Sequence, residues 1–133
     1  ARVQYRDLSA VMADIEILAD QGVSRLYMIS SELNPEGNEF LLELAGRIQA
    51  FNDEQPEERR AAWFGANFLL TLSAGEYERL YRSGFTGGWF DPTALDDQNA
   101  SAMRTPYRNE SLITHLKTYT QFERRRLGLL PAQ

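Results

Sequence analysis

The chain has 133 residues and a formal net charge of −5, with 43% hydrophobic and 25% charged residues, the make-up of one globular domain. The acidic balance argues against a nucleic-acid surface, and the absence of cysteine excludes disulfides, thiolate metal ligands and cysteine nucleophiles within these residues. No apolar run approaches the roughly 18–20 residues that a membrane span needs, and no signal peptide is visible.

In chain order, Asp7 is suited to cap a helix, with Leu8, Val11, Met12, Ile15 and Leu18 at helical spacing and Gly22 as a left-handed stop. Val23 to Ser30 then reads as a buried strand of a parallel sheet, and RLYMISSELN turns polar at its end before Pro35 and Gly37. A second helix carries Phe40, Leu41, Leu44, Ile48 and Phe51 on one face. NDEQPEERR reads as a solvated connector. In the stretch from Ala61 to Leu72 the first half reads as a second strand ending near Asn67.

Ser73 and Glu76 form a capping-box pattern, Tyr77, Leu80 and Tyr81 give the following helix its inner face, and Gly84 ends it. Phe85 to Asp91 is the third strand, with Gly87 and Gly88 permitting close backbone approach, and Pro92 closes it. A short helix is expected from about Asp96 to Met103. A last one, capped by Asn109, bears Leu112, Ile113, Leu116, Tyr119 and Phe122 and ends at Arg124, Arg125 and Arg126, where cations suit the helix dipole. The expected fold class is α/β: three or so parallel strands alternating with helices, as in a portion of a β/α barrel. Three strands cannot close an eight-stranded barrel. They would leave sheet surface uncovered, which favours a segment within a larger protein.

The polar residues that converge are at strand ends: Ser30, Ser31, Glu32 and Asn34, then Asn67, then Asp91 and Thr93. Ligands of open α/β sheets and barrels bind at that rim. Glu32, Asn67 and Asp91 could therefore face one ligand, one with an amino group or sugar hydroxyls. Trp63, Trp89 and Phe90 could stack on a ring, or fill the core. Neither HExxH nor GxSxG occurs, and no glycine-rich phosphate loop follows a strand. His115, the one histidine, lies mid-helix as a packing or surface residue, so a Ser-His-Asp site or a histidine metal centre is not expected.

From Tyr5 to Tyr119 the chain resembles the radical S-adenosylmethionine superfamily, and more particularly its cobalamin-dependent methyltransferase branch. YMISSELNPEGNEFLLELAGRI is similar to the family's second barrel strand and following helix. ANFLLTLSAGEYERLYRSGFTGGWFD is similar to the next unit, and ALDDQNASAMRTPYRNESL to a later segment, matching it at Asp97, Met103 and Tyr107. The resemblance implies that Glu32 holds the amino group of S-adenosylmethionine or, as a second choice, approaches the iron–sulfur cluster. It implies that Ser30, Asn34, Asn67 and Asp91 contact the cofactor and that Arg104, Tyr107 and Trp89 contact the substrate or cobalamin. Phe90-Asp91-Pro92-Thr93 stands where many relatives have Gly-x-Glu-Ser, which makes Asp91 a substitute for the usual ribose contact.

The family's CxxxCxxC motif is missing, so the cluster ligands are expected upstream of Ala1 and the chain as the middle of a longer enzyme. The resemblance further implies a cytoplasmic enzyme acting on a small molecule or peptide. Its partners would be the remaining domains of the same protein, with neither nucleic acid nor membrane. Two other readings stay open: a non-catalytic α/β docking module, and an α/β enzyme without a cluster that uses an acid–base pair among Glu32, Asp91 and Asp97.

Overall fold

The computed structural model describes residues 2–65, 67–90, 98 and 109–128. They form an α/β layer of three parallel strands alternating with helices. The elements are α1 (Leu8–Asp20), β1 (Arg25–Met28), α2 (Glu39–Asp53), a 3-10 turn (Glu57–Arg59), β2 (Ala62–Gly65), α3 (Ala74–Arg82), β3 (Phe85–Gly88) and α4 (Asn109–Arg126). The expected helix from about Asp96 to Met103 lies outside the described residues. The connector NDEQPEERR contains the 3-10 turn, with Arg59 paired to Asp20 at 2.7 Å across to α1.

Local chemistry sets the helix ends. The Asp7 carboxylate accepts from the Ser9 N–H at 3.0 Å, and Ser73 and Glu76 form the reciprocal capping box that starts α3. Gly84 has φ +88°, and a Cβ there would lie 2.3 Å from the Ala61 carbonyl oxygen. Only glycine lets the chain turn from α3 into β3 beside the start of β2.

The strands run β1-β2-β3, all parallel, with Leu26 opposite Trp63 and Tyr27 opposite Phe64. Between β2 and β3 the register slips: Trp63 pairs with Phe85 but Gly65 with Gly88, so Thr86 and Gly87 share the stretch opposite Phe64. All three strands are shorter than the sequence suggests, ending at Met28, Gly65 and Gly88 rather than Ser30, Asn67 and Asp91. Single parallel bonds continue past the ladders instead. Leu33 N–H donates to Asn67 O, Trp89 N–H to Gly65 O and Phe68 N–H to Trp89 O.

Parallel crossovers in this order are right-handed and bring their helices to one side of the sheet. Trp63, Phe85, Ile48, Leu70 and Leu80 meet there as the core. Trp63 is 0% exposed and its indole N–H donates to Ser83 Oγ at 3.0 Å. Buried Asn52 ties the layers: its amide donates to Ala61 O and Ser83 O and accepts from Ala61 N–H. The opposite face stays open among the described residues. Tyr27 and Phe64 stack on it (5.4 Å, 9°), Trp89 meets Phe64 edge-on, and Ile29 is 81% exposed. The two tryptophans thus part company: Trp63 is core, and Trp89, at 61% exposed, is not.

Candidate functional site

The strand ends lie side by side. Because Leu33 bonds to Asn67 and Phe68 to Trp89, the loops carrying Glu32, Asn67 and Trp89 form one rim at the carboxyl end of the sheet. Asn67 takes the left-handed conformation (φ +50°), which asparagine tolerates better than most residues, and it is exposed. Glu32 is exposed and makes no hydrogen bond or ion pair among the described residues. Among the described residues nothing occupies the acceptor positions of its carboxylate.

Asn34, expected at the same rim, is 1% exposed. Its amide nitrogen donates to Asn38 Oδ1 and Leu69 O, both at 2.9 Å, and its carbonyl oxygen accepts from Leu69 N–H at 2.6 Å. Its hydrogen bonds are therefore made inside the protein, fastening the loop after β1 to the loop after β2. Asn38 joins the same network through Thr71. The sequence signal, a polar residue after a strand, is the same for a ligand contact and for such a bracket.

Ser30 opens onto a cavity of about 380 Å³ between the amino-terminal arm, the end of β1 and the start of α2. Its lining includes Gln4, Tyr5, Tyr27, Ser30, Glu32 and Phe40. Tyr5 stacks on Phe40 at 4.4 Å, and Arg6 is anchored by Asp14 at 2.6 Å, so the arm is fixed at both of its inner residues. The Ser30 hydroxyl is buried and has no hydrogen-bond partner. The arm escaped sequence reasoning altogether. Its wall depends on Tyr5 meeting Phe40, a contact between residues far apart in sequence, and an isolated tyrosine in a polar phrase carries no signal of it.

A second polar cluster lies across the molecule, where α4 meets α3 and β3. The Tyr81 hydroxyl donates to Glu123 at 2.7 Å, and Arg126 pairs with the other carboxylate oxygen at 2.9 Å. Burial and the Glu123 carboxylate push the Tyr81 hydroxyl far above the ordinary tyrosine range, and push Tyr119 up to about 12. These groups fasten α4.

Asp91, Arg104 and Tyr107 lie outside the described residues. Among the described residues no group of three or more His, Cys, Asp or Glu side chains could hold a metal ion, and no helix is long and apolar enough to cross a membrane. No family model, curated protein or solved structure matches the chain at a significant level.

Proposed function

We propose that these residues form part of the β/α barrel wall of a radical S-adenosylmethionine enzyme of the cobalamin-dependent methyltransferase branch. The observation that carries the reading is the rim itself. Glu32, Asn67 and Trp89 stand on adjoining strand ends, at the edge of a parallel sheet whose other face is aromatic and open. A barrel places its lumen on that side of the strands and its ligands at that end. The sequence resemblance supplies the chemical identity.

In this reading the free Glu32 carboxylate accepts from the cofactor's ammonium group, Asn67 hydrogen-bonds the cofactor, and Trp89 faces substrate. The cofactor set supplies an electron from the cluster and a methyl group carried by cobalamin. The chain has no cysteine, so the thiolates for an iron–sulfur cluster would come from outside these residues. A cytoplasmic setting suits an oxygen-sensitive cluster of this kind.

The test uses the intact protein purified without oxygen. Iron, sulfide and cobalamin are assayed, and S-adenosylmethionine binding is measured by calorimetry for wild type and Glu32→Ala. Cluster and cobalamin together, with weakened binding in the variant, support the proposal. Unchanged affinity removes Glu32 from the site, and absence of the cluster after reconstitution removes the proposal.

The exposure of Tyr27, Ile29 and Trp89 on one contiguous face also favours a second reading, a docking module without chemistry. Its mark would be partner binding with no cofactor bound under any condition.

A further inference from the structure

We infer that Gly88 is a positioning residue for the rim: its missing side chain is what seats the Asn67 loop against Trp89. The backbone at Gly88 does not call for glycine, since its φ lies outside the left-handed region that Gly84 and Gly87 occupy. What calls for it is space. A Cβ at this position would lie 2.5 Å from the Gly65 carbonyl oxygen, 2.5 Å from Phe68 Cε1 and 2.7 Å from Phe68 Cδ1. Non-bonded carbons pack at about 3.5–4.0 Å, so these contacts cannot stand. Neither neighbour is free to retreat. The Gly65 carbonyl is backbone and accepts from the Trp89 N–H at 3.0 Å, and the buried Phe68 ring meets Phe85 and Tyr119 edge-on.

Those two neighbours carry the bonds that assemble the rim. Phe68 N–H donates to Trp89 O at 2.9 Å, and Asn67 O accepts from Leu33 N–H at 2.9 Å, which draws in the loop of Glu32. Gly88 N–H donates to the Tyr119 hydroxyl, so β3 is held at this point from α4 as well. A side chain on Gly88 therefore drives Phe68 and the end of β2 away from β3, and carries Asn67 away from Trp89. The chain also holds a matched control. A Cβ on Gly84 would lie 2.3 Å from the Ala61 carbonyl oxygen, the same kind of collision at the opposite end of the same two strands. The effect of Gly88 on affinity rests on the reading that the rim holds S-adenosylmethionine, whereas its effect on the rim's geometry needs no ligand.

The experiment compares wild type, Gly84→Ala and Gly88→Ala as the intact protein purified without oxygen. Amide hydrogen exchange, thermal unfolding and S-adenosylmethionine calorimetry are measured on each. Both variants lower the melting temperature. In Gly88→Ala the Phe68 and Trp89 amides lose at least about 10-fold more protection than the Ile48 amide of α2, which marks the general loss of stability. In Gly84→Ala they lose no more than Ile48 does. Affinity for S-adenosylmethionine falls at least about 10-fold in Gly88→Ala and stays within about twofold in Gly84→Ala, because a site displaced by about 1 Å loses its ligand geometry. Phe68→Leu shortens the ring that rests against Gly88 and spares the backbone. It gives the same selective exposure in milder form and decides the question if Gly88→Ala does not fold. Selective exposure at wild-type affinity keeps the inference and takes Asn67 out of the cofactor site. If wild type binds no S-adenosylmethionine, the cofactor reading falls and hydrogen exchange alone decides on Gly88. Wild-type protection of Phe68 and Trp89 in folded Gly88→Ala, equal exposure of both amides in Gly84→Ala, or no selective exposure in Phe68→Leu overturns the inference.

Discussion

Asn34 and Leu69 grip each other at two points. The Leu69 N–H donates to the Asn34 side-chain oxygen at 2.6 Å, and the Asn34 amide nitrogen donates to the Leu69 carbonyl at 2.9 Å. A side-chain amide here stands in for a stretch of sheet, joining two loops just beyond the strands that precede them. The rim that carries Glu32 and Asn67 is held in register by this bracket and by the Leu33 to Asn67 bond. Asn34→Leu removes both halves and leaves the part-buried Leu69 N–H without its partner, while the Leu69 carbonyl keeps the Thr71 N–H at 2.8 Å. An amide left without a partner costs about 1–3 kcal/mol, so a loss of that order is expected. Urea unfolding monitored by circular dichroism checks it, and a midpoint equal to wild type would show that the two loops hold together without the bracket. Asn34→Asp keeps the acceptor but turns a carboxylate oxygen toward the Leu69 carbonyl, and it too should destabilise.

Two glycines with nearly the same backbone conformation separate strain from collision. Gly22 has φ +81° and Gly84 has φ +88°. A Cβ on Gly22 meets nothing within 4 Å, whereas on Gly84 it would sit 2.3 Å from the Ala61 carbonyl oxygen. Gly22→Ala should cost only the left-handed penalty, about 1–2 kcal/mol. Gly84→Ala must in addition push β2 and β3 apart at their amino ends and should cost clearly more. Thermal unfolding of the two variants side by side gives the comparison. Equal losses would mean the contact at Ala61 relaxes freely.

These examples mark what the sequence reveals and what it hides. The stops at Gly22 and Gly84, the Asp7 cap and the Ser73–Glu76 box are decided within a few residues, so local reading places the helices. The parallel order follows from alternation alone. The strand ends do not, because the ladder stops at the Gly65–Gly88 pair just past a register slip that depends on their neighbours in space. Asn34 reads as a ligand contact because its partners across the bracket, Leu69 and Thr71, are 35 and 37 residues away. Trp63 and Trp89 are alike in composition, and only the sheet decides that one faces the helices and the other the open side. Glu32 and Asn67 were legible as neighbours since parallel strands bring their ends to one rim.

The Tyr81–Glu123–Tyr119 cluster predicts a loss of stability in alkali. Both hydroxyls hold their protons more tightly in the folded protein, chiefly through burial and then through Glu123. The unfolded chain releases its tyrosine protons near the ordinary value of about 10, so above that pH the unfolded state binds fewer protons and stability falls. The contribution is fully present below about pH 10 and declines as pH rises through the Tyr119 value of about 12, Tyr81 continuing beyond it. Tyr81→Phe should flatten part of this slope while weakening the fold at neutral pH, where the bond to Glu123 is lost. Denaturant midpoints of wild type and variant, taken at pH values of about 8 and about 11, test both effects. A parallel decline in the two proteins would place the alkaline transition elsewhere.

Trp63 and Trp89 are the only two tryptophans, and they report on opposite faces of one sheet. Trp63 is sealed in the core and Trp89 projects from the open face against the edge of Phe64. Acrylamide should therefore quench one emission component readily and the other hardly at all, and Trp89→Phe should remove the quenchable one. Truncating a fully buried tryptophan to alanine costs about 3–5 kcal/mol. Trp89→Ala should instead stay within about 1 kcal/mol, since a side chain mostly in water gives up little packing. The same fluorescence asks what covers the open face. Within an intact barrel or a docked complex Trp89 becomes protected, and its emission moves toward that of Trp63. A Trp89 that remains fully quenchable in the intact protein, with cofactor and partners present, would mean the aromatic face is solvent-facing in use, and both the lumen and the docking readings would lose their support.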